Sequence, residues 1–152
     1  EKIACAVIRK HRLWETFLVE KMEFTWDEIH EVAEQLEHIK SKKLVDKLDK
    51  LLGYPEFDPH GDPIPNANGV MRSVHKTTLN QVSINKQLKV VGVKNDSQAF
   101  LQYITQLGLT INREVLIKKF NDFDGSLDVV IEGNLQTISQ KVAENVFVEQ
   151  IS

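Results

Sequence analysis

All four prolines of this 152-residue chain, Pro55, Pro59, Pro63 and Pro65, fall between Tyr54 and Gly69, and the chain changes character across that stretch. A proline lacks the N–H that helices and sheet ladders need, so no regular element runs through YPEFDPHGDPIPNANG. It reads as an extended linker or as a loop packed on its neighbours. Before it, apolar residues recur at helical spacing; after it, β-branched residues gather in short runs between turn signals. The expected fold class is α+β: a three-helix domain over 1–53, a Pro/Gly-rich linker over 54–73 and a small, partly open SH3-like β-barrel over 74–152.

Lys2 to Met22 is the first helical pattern, with Ile3, Ala6, Val7, Leu13, Trp14, Phe17 and Leu18 apolar. His11 and Glu15, one turn apart, stack on one face of it. Thr25 to Ile39, TWDEIHEVAEQLEHI, reads as a second, short helix opened by a capping box of Thr25 and Glu28. Its later acids are out of place. Glu34 and Glu37 stand near the negative end of the helix dipole, where each repels the other at a cost of roughly a few tenths of a kcal/mol. At about 100° per residue, His30, Glu34, Glu37 and His38 share roughly a quarter to a third of the helix circumference, beside Ile29, Val32, Ala33 and Leu36. Two imidazoles and two carboxylates pre-ordered near an apolar surface are what a divalent-cation site requires. The plain alternative is a solvated charged face with core-facing histidines. With His30 near them, His11 and Glu15 become part of a three-ligand set.

Ser41 caps a third helical pattern with Leu44, Val45, Leu48, Leu51 and Leu52 apolar, ended by Gly53 and Pro55. Three such helices bury little alone, and a symmetric dimer is the economical way to cover the rest. Glu1 falls inside the first helical pattern, without a cap or an initiator Met, so the sequence reads as a fragment. Cys5 is the only cysteine; it excludes a disulfide framework and a zinc ribbon and reads as a small buried residue. One thiol, no signal peptide and no apolar run of spanning length point to a cytoplasmic protein without a membrane partner. His60 and His75 are read as structural or solvent-facing, because nothing around them in sequence has ligand spacing.

In the second half, strands are expected over Leu79–Ile84, Gln87–Val93, Glu114–Asn121, Ser126–Glu132, Leu135–Ser139 and Val146–Ile151. A helix is expected over Asp96–Leu107, closed by Gly108, a hairpin at Asp124-Gly125, a turn at Gly133-Asn134 and one helical turn over Gln140–Asn145. There is no Gly-rich phosphate loop, no nucleophile elbow and no histidine after His75, so this half carries no visible chemistry and the chain does not read as an enzyme.

RKHRLWETFL, then DEIHEVAEQLEHI, then DPHGDPIP, then a small barrel together resemble the diphtheria-toxin-repressor family of metal-dependent transcriptional regulators, across essentially the whole chain. The resemblance implies that His11, Glu15 and His30 are ligands of the family's ancillary metal site, and that Glu34, Glu37 and His38 belong to its primary, regulatory site. It implies that the C-terminal, FeoA-like barrel lends an oxygen ligand to the ancillary site, from Asp96 first and Gln98 next; the alternative is that Asp96 only N-caps its helix. Where the iron-responsive branch has a Cys, this chain has Glu34, as in the manganese-responsive branch. A hard carboxylate in place of a thiolate favours Mn²⁺, with Fe²⁺ second.

The resemblance also implies a homodimer and an N-terminal winged helix-turn-helix domain ahead of these residues, which reads operator DNA and completes the primary site. At net charge −3, with no Lys/Arg-rich stripe interleaved with aromatics, the present residues are not expected to bind DNA by themselves. The expected role is thus the metal-sensing and dimerisation portion of a regulator of metal homeostasis, in which metal binding ties the helices together and sets the spacing of two DNA-reading helices. Two other classes stay open. One is a di-iron-type metalloenzyme, which usually needs four helices and Glu-x-x-His on two of them; the other is an SH3-like interaction module with no metal role, for which Pro63-Ile64-Pro65 could be an internal ligand.

Overall fold

A computed structural model describes residues 2–151, with side chains from Ala4 to Ile151. The chain forms two compact units, 1–74 and 75–152, so the Pro-rich stretch belongs with the helices. Among the described residues no helix is long and apolar enough to cross a membrane.

The first unit contains α1 (Lys2–Met22), α2 (His30–Leu36) and α3 (Lys42–Leu51). α1 has the bounds its apolar period predicts, and its Leu13, Trp14 and Leu18 pack with Ile29 and Ala33 and with Val45 and Leu48 of α3. The side chain of Ile3 lies outside the described residues, and Cys5 is half-buried rather than buried. The second helix is shorter than expected. Thr25 does not open it: Glu28 accepts from the Thr25 N–H at 3.1 Å and also pairs with its hydroxyl, closing a separate turn, and α2 begins at His30 after Ile29. The buried Ile29 side chain anchors that junction, so tertiary packing outweighs the capping signal. Ser41 does cap α3, its Oγ accepting from the Leu44 N–H at 3.1 Å.

The segment after α3 is an ordered loop. Asp58 Oδ1 accepts from the N–H groups of both His60 and Asp62, at 2.9 and 2.8 Å, and Phe57 bridges to Pro63. Asp58, His60, Gly61 and Pro65 are buried.

The second unit is a six-stranded antiparallel sheet in the order β1-β6-β2-β3-β4-β5, an SH3-like arrangement. Its strands are β1 (Thr77–Thr78), β2 (Gln87–Val93), β3 (Glu114–Phe120), β4 (Leu127–Ile131), β5 (Asn134–Ile138) and β6 (Val146–Gln150), with α4 (Gln98–Leu107) after β2 and α5 (Gln140–Glu144) before β6. Alternation on β4 puts Leu127, Val129 and Ile131 inside with Leu88, Val90, Val115 and Ile117. The strand expected over Leu79–Ile84 is instead a 3-10 turn, Leu79–Gln81, because Thr78 and Gln81 form a reciprocal capping box and fold the chain back. The hairpin around Gly125 is present. The next turn is centred one residue earlier than expected, on Glu132 and Gly133, both at positive φ.

Candidate metal centre

The site is organised on one buried carboxylate. Glu15 is 2 % exposed and lies on the face of α1 that α2 and the Pro-rich loop cover. One turn earlier on α1, His11 Nε2 stands 3.2 Å from Glu15 Oε2. His30, the first residue of α2, brings its Nδ1 to 3.9 Å from the same oxygen, and the His11 and His30 rings meet edge to face at 4.9 Å. The three side chains offer ligand atoms all within 4.8 Å of one another. Neighbouring donors around an octahedral dication with bonds of about 2.1–2.2 Å are about 3 Å apart. His11 and Glu15 already meet that spacing, and the largely exposed His30 is free to close the remaining gap. The donors present therefore fit a divalent cation.

A second group was not legible in the sequence. Glu15, Asp58 and His60 also place one ligand atom each within 4.8 Å of the others, and all three are buried. His60 is 1 % exposed, not solvent-facing. Its Nε2 lies 2.7 Å from the Trp26 carbonyl, which can only accept, so Nε2 carries a proton and Nδ1 is the atom turned to Glu15 Oε2, at 3.7 Å. The only sequence signal was a carboxylate two residues before a histidine inside the proline run.

The expected primary set is not gathered in this arrangement. Glu37 Oε1 lies 2.8 Å from His11 Nδ1. Glu34 is exposed, with Oε2 4.0 Å from His30 Nε2, and His38 is exposed on the turn beyond α2. The physical reasons differ: Glu37, the C-cap of α2, is still helical at φ −64 and ψ −16 but its carboxylate is taken up by His11, whereas His38 lies on the turn past the helix end. In the second unit, Gln98 is the first residue of α4, and the cap is Ser97, whose Oγ accepts from the Phe100 N–H, not Asp96.

These contacts set the protonation pattern. The hydrogen bond to Glu15, helped by the Glu15 and Glu37 charges and opposed by burial, raises His11 from 6.5 to about 9. Burial, the Glu15 charge and a hydrogen bond to Glu15 push Asp58 from 3.8 up to about 9, so it is the protonated member of the pair. Burial alone would raise Glu15 too, but hydrogen bonds from His11 and Asp58 with the His60 interaction outweigh it and hold this carboxyl below its ordinary range.

Residues 1–66 match the family model described as "Iron dependent repressor, metal binding and dimerisation domain", and residues 77–150 match the FeoA domain. A solved manganese-dependent transcriptional repressor in complex with manganese is 31% identical and superposes with a TM-score of 0.88 over 99% of this chain and 72% of that one. A second manganese-dependent transcriptional repressor is 32% identical, with a TM-score of 0.84 over 98% of this chain and 82% of its own. The chain belongs to the diphtheria-toxin-repressor family. Curated family members match over part of their length. The iron-dependent repressor IdeR of Mycobacterium bovis is 43% identical over 63 residues, 41% of this chain and 27% of that protein. A probable metal transport system membrane protein of Chlamydia trachomatis is 40% identical over 62 residues, which is 14% of its length.

Proposed function

We propose that this chain is the metal-sensing and dimerisation portion of a metal-dependent transcriptional regulator, responding to Mn²⁺ first and Fe²⁺ second. The observation that carries the reading is the convergence of His11 and His30, from two different helices, on the buried Glu15 carboxylate. A carboxylate so removed from water is costly unless cations or hydrogen bonds surround it. The His11 proton and the Asp58 proton serve that purpose here.

Three features of the chain suit it to sensing. Glu37 accepts from Nδ1 of His11, which fixes the ring and leaves Nε2 directed at Glu15. Asp58 and His60 hold the Pro-rich loop against the same carboxylate, so the loop and two helices share one anchoring point. A divalent cation held by His11, Glu15 and His30 would supply the positive charge that lets these acids stay together without their protons. Glu34, Glu37 and His38, as a second set completed by an N-terminal domain, and an oxygen from Asp96 or Gln98 belong to the same reading. So do operator binding by the dimer and a cytoplasmic setting.

The nature of the relatives supports a regulator over an enzyme: two solved structures that resemble this chain are manganese-dependent transcriptional repressors.

Titration of the protein with Mn²⁺, followed by electron paramagnetic resonance, tests the reading. Saturable binding is expected, with loss of one site in a His11→Ala, Glu15→Gln variant; unchanged stoichiometry in that variant would overturn the assignment. Asp96→Asn is expected to weaken binding if the barrel contributes its oxygen, and to leave it intact if it does not.

A further inference from the structure

The Pro-rich loop touches the metal centre with one side and the end of the first unit with the other. Between Glu56 and Ile64 it is closed on itself. The Ile64 N–H donates to the Glu56 carbonyl at 2.9 Å, Phe57 bridges to Pro63, and the Asp58 N–H donates to the Asp62 carbonyl at 2.8 Å. Backbone cross-links at three successive positions make this stretch a rigid element, able to carry a displacement from one side to the other.

Its inner side is fixed beside the metal centre. His60 turns Nδ1 to Glu15 Oε2 at 3.7 Å and donates from Nε2 to the Trp26 carbonyl at 2.7 Å. Arg12, next to His11 on α1, donates from Nη1 to the Pro63 carbonyl at 2.6 Å. Its outer side holds Arg72. Nη2 of that residue donates to Glu56 Oε1 at 2.8 Å, and the guanidinium lies over the Phe57 ring, 6.0 Å from its centroid. An exposed ion pair alone contributes little, but here the same cation also rests on an aromatic face. Residues 70–74, the last of the first unit, are exposed and belong to no helix or strand, and Arg72 ties them to the loop.

We propose that Arg72, Glu56 and Phe57 form a latch, and that the closed loop couples it to occupation of the Glu15 centre. The loop leans on the same carboxylate that His11 and His30 approach, so a divalent cation gathering those donors restricts the group on which the loop rests and favours the latched arrangement of residues 70–74. The coupling rests on the metal-centre reading; the latch itself does not.

Trypsin reads the latch. A guanidinium paired with Glu56 cannot enter a protease pocket at the same time, so cleavage at the Arg72–Ser73 bond follows the released fraction. Followed by mass spectrometry without added metal, Glu56→Gln is expected to speed that cleavage about two- to fivefold, with cleavage after the exposed Lys86 as the reference. Saturating Mn²⁺ is expected to slow cleavage after Arg72 relative to Lys86 in the unaltered chain and to have no such effect in Glu56→Gln, while electron paramagnetic resonance shows that the variant binds Mn²⁺ as before. Bound Mn²⁺ with unchanged cleavage after Arg72 would overturn the coupling and leave the metal centre standing. Absence of Mn²⁺ binding in the unaltered chain would overturn the metal centre and the coupling with it. Glu56→Gln cleaved at the unaltered rate would overturn the latch.

Discussion

A histidine held between two carboxylates behaves differently from a free one. His11 has Glu37 on Nδ1 and Glu15 on Nε2, and a carboxylate can only accept from the ring. Its pKa of about 9 means the folded state keeps a proton that the unfolded chain, at 6.5, gives up. His11 therefore contributes stability that is fully present below pH 6.5 and lost as the pH rises through 9. Asp58 acts in the same direction: folded it holds its proton to about 9, unfolded only to 3.8, so folding is disfavoured progressively as pH rises between those values. The metal-free protein is expected to lose thermal stability between pH 6 and pH 9, measured by calorimetry. Over the same range the increment from saturating Mn²⁺ should grow, because a cation competes with the His11 proton. A metal-free midpoint that stays level would contradict these assignments. Glu37 can be tested separately. If it orients His11, Glu37→Ala weakens Mn²⁺ binding by about 10–100-fold while Glu37→Gln, which keeps an acceptor oxygen, loses much less. Equal losses would mean that Glu37 does not act through the His11 ring.

At the scale of elements, end effects decide where the helices stop and hence which side chains meet. α3 depends on Ser41: its hydroxyl satisfies the Leu44 N–H, and Ser41→Ala should cost about 1 kcal/mol in urea unfolding. α4 ends on Gly108, at φ +90, where the amide bonds back to the carbonyls of Ile104 and Thr105. A Cβ there would also come to 3.1 Å from Ile131 Cγ2, so Gly108→Ala combines backbone strain with a tight contact in the barrel core. It is expected to destabilise the second unit by about 1 kcal/mol or more; a neutral result in the same assay would mean that the turn can relax. α2 shows the opposite balance. Its capping signal is real in that Thr25 and Glu28 do pair, yet they close their own turn, and the burial of Ile29 starts the helix one turn later.

For the whole molecule, binding and stability are linked. Both groups of candidate ligands gathered in the structure lie within the first unit, so Mn²⁺ at a hundredfold excess over its dissociation constant should stabilise that unit by about 2.7 kcal/mol. Scanning calorimetry would show it as a raised transition, and an unmoved midpoint across the titration would rule out specific binding to the native state. Much of the architecture was readable from local pattern. The bounds of α1, the strands β2 to β4 and β6, the helix ending at Gly108 and the one-turn pairing of His11 with Glu15 all rest on periodicity, turn residues and spacing. Such signals act over a few residues, so they survive in a sequence read by itself. What joins Glu37 to His11 across 26 positions, or His60 to Trp26 across 34, is the docking of α2 and the Pro-rich loop on α1. That docking depends on where α2 begins and on which side chains Leu13, Ile29 and Ala33 exclude from water. The amino-acid order determined that acids and imidazoles would be present on these helices; only the tertiary packing decided that Glu15 would be the carboxylate they surround.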